Sequence, residues 1–206
     1  MLSQSVASAL REAISAGEFQ PGERLSEVKA AERFNCSRNT LRESFTRLAA
    51  ERIVERIPNR GVFLAMPDAD YIRDLFAARA AIEPAAVRWG AFADAPSLVT
   101  LTSSAFDYAA RGEHQEVSAI NQRFHRTLVA ALGSPTLNEQ MDNLLARMRL
   151  TFLLAIPRYP QLHADHIQGN ITLATLIADG KRLEAATLSH DSLMNTCGKI
   201  LAVLED

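Results

Sequence analysis

The stretch that decides the fold is SEVKAAERFNCSRNTLRESFTRLAA, residues 26–50, followed by IVERIPNRGVFLAM, residues 53–66. Ser26 and Ser37 each stand just before a helical pattern, where a serine side chain caps the first free backbone amides. Asn35 lies between the two patterns, at the place where a tight turn needs a left-handed residue, which asparagine tolerates. The stretch therefore begins with a predicted helix, a short turn and a second helix.

Two short apolar runs follow at once, residues 53–57 and 62–66, separated by Pro58-Asn59-Arg60-Gly61. Apolar runs around a turn rich in Pro, Asn and Gly are typical of a β-hairpin. A helix-turn-helix followed directly by a hairpin predicts a winged helix. An amphipathic helix over residues 6–16 precedes it.

The strand signal disappears after Met66, and helical periodicity continues to the end of the chain. Gly, Pro or short polar stretches divide this part into six predicted helices. They cover residues 71–92, 97–110, 113–132, 134–156, 161–178 and 182–204. We therefore predict a mainly α protein, with a winged helix-turn-helix domain at residues 1–66 and an all-helical domain at residues 67–206.

The charge is divided unevenly along the 206 residues, although the whole chain carries only −2. Residues 1–66 hold ten Lys/Arg against eight Asp/Glu, giving +2, and the rest holds twelve against sixteen, giving −4. Residues 1–66, here called the head, are thus basic, and residues 67–206, here called the body, are acidic. This distribution is compatible with DNA binding by the head.

Composition favours a globular protein that works inside the cell. No stretch approaches the roughly 20 apolar residues that span a bilayer, and residues 1–20 lack the apolar core of a signal peptide. The only two cysteines, Cys36 and Cys197, lie far apart and suit a reducing compartment. We expect a cytoplasmic location and no membrane partner.

Three motifs of the head, Pro21–Glu27, Ser37–Glu43 and Asn59–Gly61, resemble the GntR family of bacterial regulators in order and spacing. The body resembles the FCD subfamily through Arg79–Glu83 and Asn121–Leu128, and its six predicted helices resemble the shorter branch of that subfamily. The chain departs from the family pattern at three head positions, where Asn35, Thr40 and Arg52 replace Gly, Pro and Gly.

The expected DNA-reading residues lie on the second helix of the helix-turn-helix and at the tip of the wing. Arg38 and Arg42 can each grip guanine with two hydrogen bonds, and Arg60 can reach the minor groove or the backbone. The full expected set is Ser37, Arg38, Asn39, Thr40, Arg42, Arg60 and Gly61. By resemblance the operator is a short palindrome, which implies a homodimer. The alternative is that Arg38, Arg42 and Arg47 are solvated charges beside Glu43 and Glu51.

The third predicted body helix places Asn121 and His125 one turn apart beside an apolar stripe. The FCD resemblance implies that an Asp and a His here, with two His from the last two helices, hold a divalent metal. This chain has Asn121 in place of the Asp. Counted from the Asp179-Gly180 loop, the family's two other His positions fall on Asn170 and Ser192.

Helical periodicity offers a different set of ligands. It places His190 on one face of the last helix with Leu183, Ala186, Met194 and Cys197, so His190 points inward if the loop is shortened by two residues. His166 lies one turn before Asn170. His125, His166 and His190 would suit Zn or Ni. The alternative is that these histidines form hydrogen bonds in a metal-free pocket.

Arg79 is a further candidate, because an arginine within an apolar helix stretch needs an anionic partner. The partner could be the carboxylate of an organic or sugar acid, or it could be Glu83 one turn later. The expected ligand-binding residues are Arg79, Asn121, His125, Asn170 and His190.

These observations predict a ligand-responsive transcriptional regulator, expected to be a repressor, that a small acidic metabolite releases from DNA. We do not expect an enzyme, because the chain contains no nucleophile elbow, phosphate loop or His-Glu-x-x-His motif. The competing hypotheses are a metal-dependent helical enzyme and an architectural DNA-binding dimer without an effector.

Overall fold

A computed structural model describes residues 2–205, and these residues form ten helices and a three-stranded sheet. Contacts divide them into two compact units. The first holds the residues up to Asp68 together with Leu145–Leu154, and the second holds Ala69–Leu144 and the residues from Ala155 onward. The predicted domain ends, residues 1 and 206, lie outside the described residues, and the domain assignment itself stays a prediction.

Three helices of the first unit pack around one apolar core. They are α1 (Leu2–Ser15), α2 (Glu27–Arg33) and α3 (Arg38–Ala50). Leu10, Leu41 and Phe45 are completely buried between them. The predicted serine caps are present, because the side chains of Ser26 and Ser37 accept hydrogen bonds from backbone amides of α2 and α3.

The sheet of the first unit has one strand more than the sequence predicts. Its strands are β1 (Arg24–Leu25), β2 (Val54–Ile57) and β3 (Gly61–Leu64), in the order β1-β3-β2. The predicted hairpin is β2 and β3, which pair antiparallel with Val54 opposite Leu64. The two residues of β1 pair antiparallel with β3. A strand of two residues is too short to leave a periodic pattern in the sequence.

Two residues in the helix connections have left-handed backbone conformations. Asn35 has φ 46°, as the turn between α2 and α3 was expected to require, and Arg52 after α3 has φ 60°. Arg52 stands where the family pattern has glycine, and its amide donates to the carbonyl of Ala49 at 3.0 Å. A side chain with a Cβ is strained in this conformation, whereas glycine is not.

We therefore expect Arg52→Gly to raise the free energy of unfolding by about 0.5–1 kcal/mol. Asn35→Gly is the matched control, because asparagine already tolerates the left-handed region and should change by less than about 0.5 kcal/mol. Urea unfolding of both variants measures the difference. A loss of stability in Arg52→Gly would show that the arginine side chain contributes more than its backbone strain costs.

The second unit is helical throughout its described residues. Its helices are α4 (Ala69–Trp89), α5 (Ala95–Ser103), α6 (Ala105–Ala110), α7 (His114–Ala130), α9 (Leu162–Ala178) and α10 (Arg182–Glu205). Helix α8 (Pro135–Ala155) belongs partly to each unit. No helix among residues 2–205 is both long enough and apolar enough to cross a bilayer.

One predicted helix, over residues 97–110, is two helices in the structure. It is interrupted at Ser104, whose hydroxyl donates to the carbonyl of Leu101 at 2.7 Å. Serine side chains compete in this way with the backbone hydrogen bonds of a helix. The other five predicted body helices are each found as one helix.

Helices α4 and α10 lie side by side and run in opposite directions. Arg73 near the start of α4 lies 3.7 Å from Glu205 at the end of α10. At the other end Arg182 donates to the carbonyl of Gly90. Between α4, α5, α7, α9 and α10 lies an apolar core that includes Val87, Phe124 and Leu173. Trp89, the last residue of α4, is 73% exposed.

Candidate DNA-binding face and ligand cavity

Helix α3 presents a polar, exposed first turn. The Ser37 hydroxyl accepts from the Thr40 amide at 3.1 Å and also lies 2.8 Å from the Thr40 hydroxyl. Arg38 is exposed, and no hydrogen bond or ion pair joins it to another described residue. Asn39 donates to Glu43 at 3.2 Å. The side chain of Arg38 is therefore available to a partner outside the chain.

Arg42, the second expected base reader, is held by a carboxylate of the preceding helix. Its Nε lies 3.1 and 3.2 Å from the two oxygens of Glu27, and its Nη2 lies 3.0 Å from Oε2. The hydrogen bond with Glu27 raises the pKa of Arg42 above its ordinary value. The side chain is still 61% exposed, so Arg42 must exchange Glu27 for a base if it reads DNA.

If Arg38 and Arg42 were only solvated charges, Glu43 and Glu51 were the carboxylates expected beside them. In the structure Glu43 accepts from Asn39, and Glu51 forms an ion pair with Arg11 of α1 at 2.8 Å. Neither carboxylate neutralises Arg38.

The wing turn contains the other two expected DNA-contacting residues. The guanidinium of exposed Arg60 lies 5.7 Å from the centre of the Phe63 ring, and Gly61 has φ 111°. A Cβ at Gly61 would lie 3.5 Å from Nε of Arg24, an ordinary van der Waals distance, so space alone does not require glycine here. Glycine is favoured here by the backbone conformation itself.

The second unit contains a cavity of about 320 Å³ between α4, α7, α9 and α10. This volume lies at the lower end of the range for small-molecule sites. Four of the residues predicted to bind a ligand or metal lie in its wall, namely Arg79, His125, His166 and Asn170.

Glu83 links two of these residues at the inner wall of the cavity. Its Oε1 accepts from Nε of Arg79 at 2.6 Å, and its Oε2 lies 2.7 Å from Nδ1 of His125. All three side chains are more than nine-tenths buried. Of the two partners considered for Arg79, the structure shows the intramolecular one. No pattern in the sequence predicts Glu83 as a partner of His125.

The buried Glu83 carboxyl keeps its charge. Burial alone would raise its pKa, but the Arg79 guanidinium and the His125 ring together lower the pKa to about 2. One carboxylate thus satisfies a buried arginine and orients the histidine ring. The opposite ring nitrogen, Nε2 of His125, is buried and has no hydrogen-bond partner among the described residues.

Asn121 and Asn170 form an amide pair between α7 and α9. Nδ2 of Asn170 donates to Oδ1 of Asn121 at 2.7 Å. Asn170 lies in the cavity wall, whereas buried Asn121 does not. Asn121 can therefore orient the Asn170 amide, but it does not face the cavity as predicted.

His166 lies in the cavity wall near the start of α9, and its Nδ1 lies 2.8 Å from the carbonyl of Leu162. Burial lowers the pKa of His166 to about 3, and the charges of His125 and Arg79 act in the same direction. The hydrogen bond with Leu162 opposes this shift only in part. His166 is therefore neutral at pH 7 and donates its Nδ1 proton to the carbonyl.

This lowered pKa predicts an acid-sensitive contribution to stability. Between pH 6.5 and pH 3 the unfolded chain takes up a proton that folded His166 does not, so stability falls as the pH falls. We expect wild type to lose about 1 kcal/mol more than His166→Gln between pH 7 and pH 5, a value reduced because the side chain is partly exposed. Glu83 adds nothing in this window, since its contribution is lost only below its ordinary pKa of 4.5.

Denaturant unfolding at the two pH values measures the difference, with His190→Gln as the matched control. His190 is exposed, so its replacement should leave the acid sensitivity of wild type unchanged. Equal acid sensitivity in wild type and His166→Gln would contradict the burial of a neutral His166.

The prediction that His190 points inward is wrong. Its side chain is 54% exposed, and its Nδ1 lies 3.1 Å from Asp191. The residues of α10 that line the cavity include Ser189 and Ser192 instead. Two residues assigned to the same face as His190, Leu183 and Met194, are also exposed. The stripe inferred from hydrophobicity is therefore not the buried face of α10.

The three predicted metal ligands are consequently not all brought together, because His125 and His166 share the cavity wall but His190 lies outside it. Among residues 2–205, no group of three His, Cys, Asp or Glu side chains is arranged to hold a metal ion. The positions that the family pattern assigns to metal ligands hold Asn121, Asn170 and Ser192 beside His125. These residues do not fit a Zn or Ni centre, which needs imidazole, thiolate or carboxylate ligands.

Three side chains at the rim of the cavity form a cluster that the sequence does not predict. Asp165 accepts hydrogen bonds from Tyr159 and, at 2.9 Å, from Lys199. Both bonds lower the pKa of Asp165. The cluster joins α10 to the start of α9 and to the loop before it. No motif in the sequence connects these three positions, because they meet only in the tertiary fold.

Comparisons with known proteins cover both parts of the chain. Residues 2–64 match the sequence model of the bacterial regulatory proteins of the gntR family, and residues 74–194 match that of the FCD domain. The chain is 26% identical to the Nta operon transcriptional regulator of Aminobacter aminovorans over 189 residues, covering 90% of this chain and 88% of that protein. It is 28% identical to the galactonate operon transcriptional repressor of Escherichia coli K12 over 160 residues, covering 66% and 69%.

A solved structure shares the whole fold. The crystal structure of a GntR transcriptional regulator from Rhodococcus sp. RHA1 has a TM-score of 0.82 and 29% sequence identity, and the match covers 97% of both chains. The resemblance inferred from the head and body motifs is thereby confirmed. The chain belongs to the GntR family of DNA-binding transcriptional regulators and carries the FCD domain of that family.

Proposed function

We propose that the chain is a dimeric repressor that binds a palindromic operator and leaves it when a small acidic metabolite occupies the cavity of the second unit. The observation that carries the effector part is the buried Nε2 of His125, a polar atom of a cavity-wall residue that lacks a partner among the described residues. A buried polar atom without a partner costs free energy that a ligand can recover. One relative is named as the repressor of the galactonate operon, and galactonate is an acid.

The DNA part rests on α3. Arg38 is exposed and unpaired among the described residues, and the Ser37 cap fixes the start of the helix that carries it. Identical heads on a two-fold dimer read the two halves of a palindrome about one helical turn apart. We expect the full chain to sediment as a dimer at micromolar concentration, and a monomer under these conditions would contradict the proposal. We infer that a protein which acts on operator DNA works in the cytoplasm.

A mobility-shift assay with the operator tests the effector part directly. Organic and sugar acids are titrated into wild type, His125→Leu and His190→Leu. An acid that acts through the cavity should release wild type and His190→Leu at the same concentration, because His190 lies outside the cavity wall. His125→Leu should need at least about tenfold more acid. Equal release of all three proteins would place the effector site elsewhere.

A further inference from the structure

Strand β1 carries an exposed arginine, Arg24, beside the wing turn. Its Nε, Nη2 and Cζ atoms lie 3.5, 3.6 and 4.0 Å from the position that a Cβ on Gly61 would occupy. The guanidinium of Arg24 therefore lies alongside the turn that contains Arg60 and Gly61, the two residues of the wing that are expected to contact DNA.

The sheet fixes the position of Arg24 on the wing. Arg24 and Phe63 are directly opposite each other in the antiparallel pair of β1 and β3, and side chains in such positions lie on one face of a sheet. The guanidinium of Arg60 lies 5.7 Å from the centre of the Phe63 ring. Two positive charges, one from β1 and one from the turn, are thus neighbours of the same side chain.

No carboxylate of the head neutralises Arg24. Its side chain forms no hydrogen bond or ion pair with any residue that the structure describes. Glu23, its neighbour in sequence, accepts from the backbone amide of Gln20 at 2.9 Å. Glu55 is opposite Phe63 on the other side, so two strand spacings, or about 9.5 Å, separate its backbone from that of Arg24. The charge of Arg24 is therefore open to an anion from outside the chain.

We propose that Arg24 contacts a DNA phosphate beside the wing tip, so that strand β1 is part of the DNA-binding surface. The inference rests on the proposed function and adds a residue to the same surface. A guanidinium offers parallel N–H donors that match a phosphate group, and phosphate contacts position a protein on DNA without reading its sequence. A phosphate that touches the turn at Gly61 is within reach of Arg24. Arg24 should therefore contribute to affinity but not to sequence preference.

The dependence of DNA affinity on salt measures this contact. Each phosphate contact releases condensed counterions and makes the slope of log K against log salt steeper by about 0.9. Wild type and Arg24→Gln are titrated by fluorescence anisotropy between about 50 and 200 mM KCl. One titration uses the duplex that wild type selects best from a random library, and the other uses a scrambled duplex.

The dimer of Arg24→Gln loses one phosphate contact in each head, so its slope should be less steep than that of wild type by about 1.8 on both duplexes. Its affinity at about 100 mM KCl should fall at least about tenfold on both, which leaves the ratio of the two affinities unchanged. An unchanged slope, or a loss confined to the selected duplex, would overturn the inference.

Two further variants separate a phosphate contact from net charge and from packing. Arg24→Lys keeps a positive charge at this position and should keep the wild-type slope. Arg33→Gln removes the same charge from the head, but Arg33 is already paired with Glu18, so its replacement should leave the slope unchanged. Equal changes in Arg24→Gln and Arg33→Gln, or a reduced slope in Arg24→Lys, would overturn the inference.

Phosphate ethylation interference on the selected duplex locates the contact. Ethylation weakens binding where the protein contacts the modified phosphate, so Arg24→Gln should lose one interfering phosphate in each half-site. That phosphate should lie next to those lost in Arg60→Ala, and the same pattern in wild type and Arg24→Gln would overturn the inference. If wild type selects no sequence from the library, the proposed operator function fails, whereas the slopes on the scrambled duplex still decide the role of Arg24.

Discussion

Replacing Glu83 with leucine should lower the free energy of unfolding by about 3–5 kcal/mol. The substitution removes the hydrogen-bond partner of Arg79 Nε and of His125 Nδ1, and it leaves a buried guanidinium without its counter-ion. Arg79 is only 1% exposed, so solvent screens its uncompensated charge poorly. Urea unfolding at pH 7 measures the change.

The double variant Arg79→Met/Glu83→Leu separates the charge effect from a simple packing defect. Buried ion pairs replaced by apolar side chains of similar volume are often as stable as the original pair. We therefore expect the double variant to recover most of the stability that Glu83→Leu loses. If the single substitution costs less than about 1 kcal/mol, or the double variant is as unstable as the single one, the ion pair is not what holds this part of α4.

Replacing Arg38 with alanine should cost about 1–3 kcal/mol of binding to the specific operator and relax the preference for one base pair. Arg42→Ala should have an effect of the same size, although Arg42 must first leave Glu27. Arg60→Ala should weaken binding more evenly across DNA sequences, because a wing-tip arginine mainly contacts the backbone. Fluorescence anisotropy with operator and scrambled DNA at one fixed salt concentration distinguishes these results.

Arg111→Ala is the control for loss of one positive charge. Arg111 is exposed in the second unit, where it forms an ion pair with Glu113, and it lies far along the sequence from the head. Its replacement should leave the ratio of specific to nonspecific affinity unchanged. Equal, sequence-independent losses for Arg38→Ala, Arg42→Ala and Arg60→Ala would show that α3 does not read bases.

The head could be predicted from sequence because its signals are local. A serine before a helix and an asparagine at a tight turn act on the backbone within a few residues, and Ser26, Ser37 and Asn35 do so in the structure. Strand β1 was missed because only its pairing with β3 makes it a strand. The DNA-contacting roles of the head residues stay predictions.

The residues that line the cavity were harder to predict because the hydrophobicity of the side chains does not identify the buried face of α10. Its buried face includes the small or polar Ala185 and Ser189, whereas the larger Leu183 is 68% exposed. The hydrophobic face that includes Leu183 therefore predicted that His190 points inward, whereas the His190 side chain is exposed to solvent. The position of Ser192, counted from the Asp179-Gly180 loop, was the better guide to the cavity wall.

The role of Glu83 could be inferred only in part. Its spacing from Arg79 predicts an i,i+4 ion pair, which the structure contains. Its bond with His125 joins residues 42 positions apart, and no local pattern predicts such a contact. The choice between an internal carboxylate and a ligand carboxylate for Arg79 likewise depended on packing that the sequence does not reveal.

The exposed end of α4 gives the protein an optical reporter. Trp89 is the only tryptophan of the chain, and the Arg88 guanidinium lies 4.6 Å from its ring. It follows Glu83 by six residues on the same helix, which is about 9 Å along the axis. Intrinsic fluorescence excited at tryptophan wavelengths therefore comes from one known place. A change in its emission during a titration reports on the end of the helix that carries Arg79 and Glu83, without any attached dye.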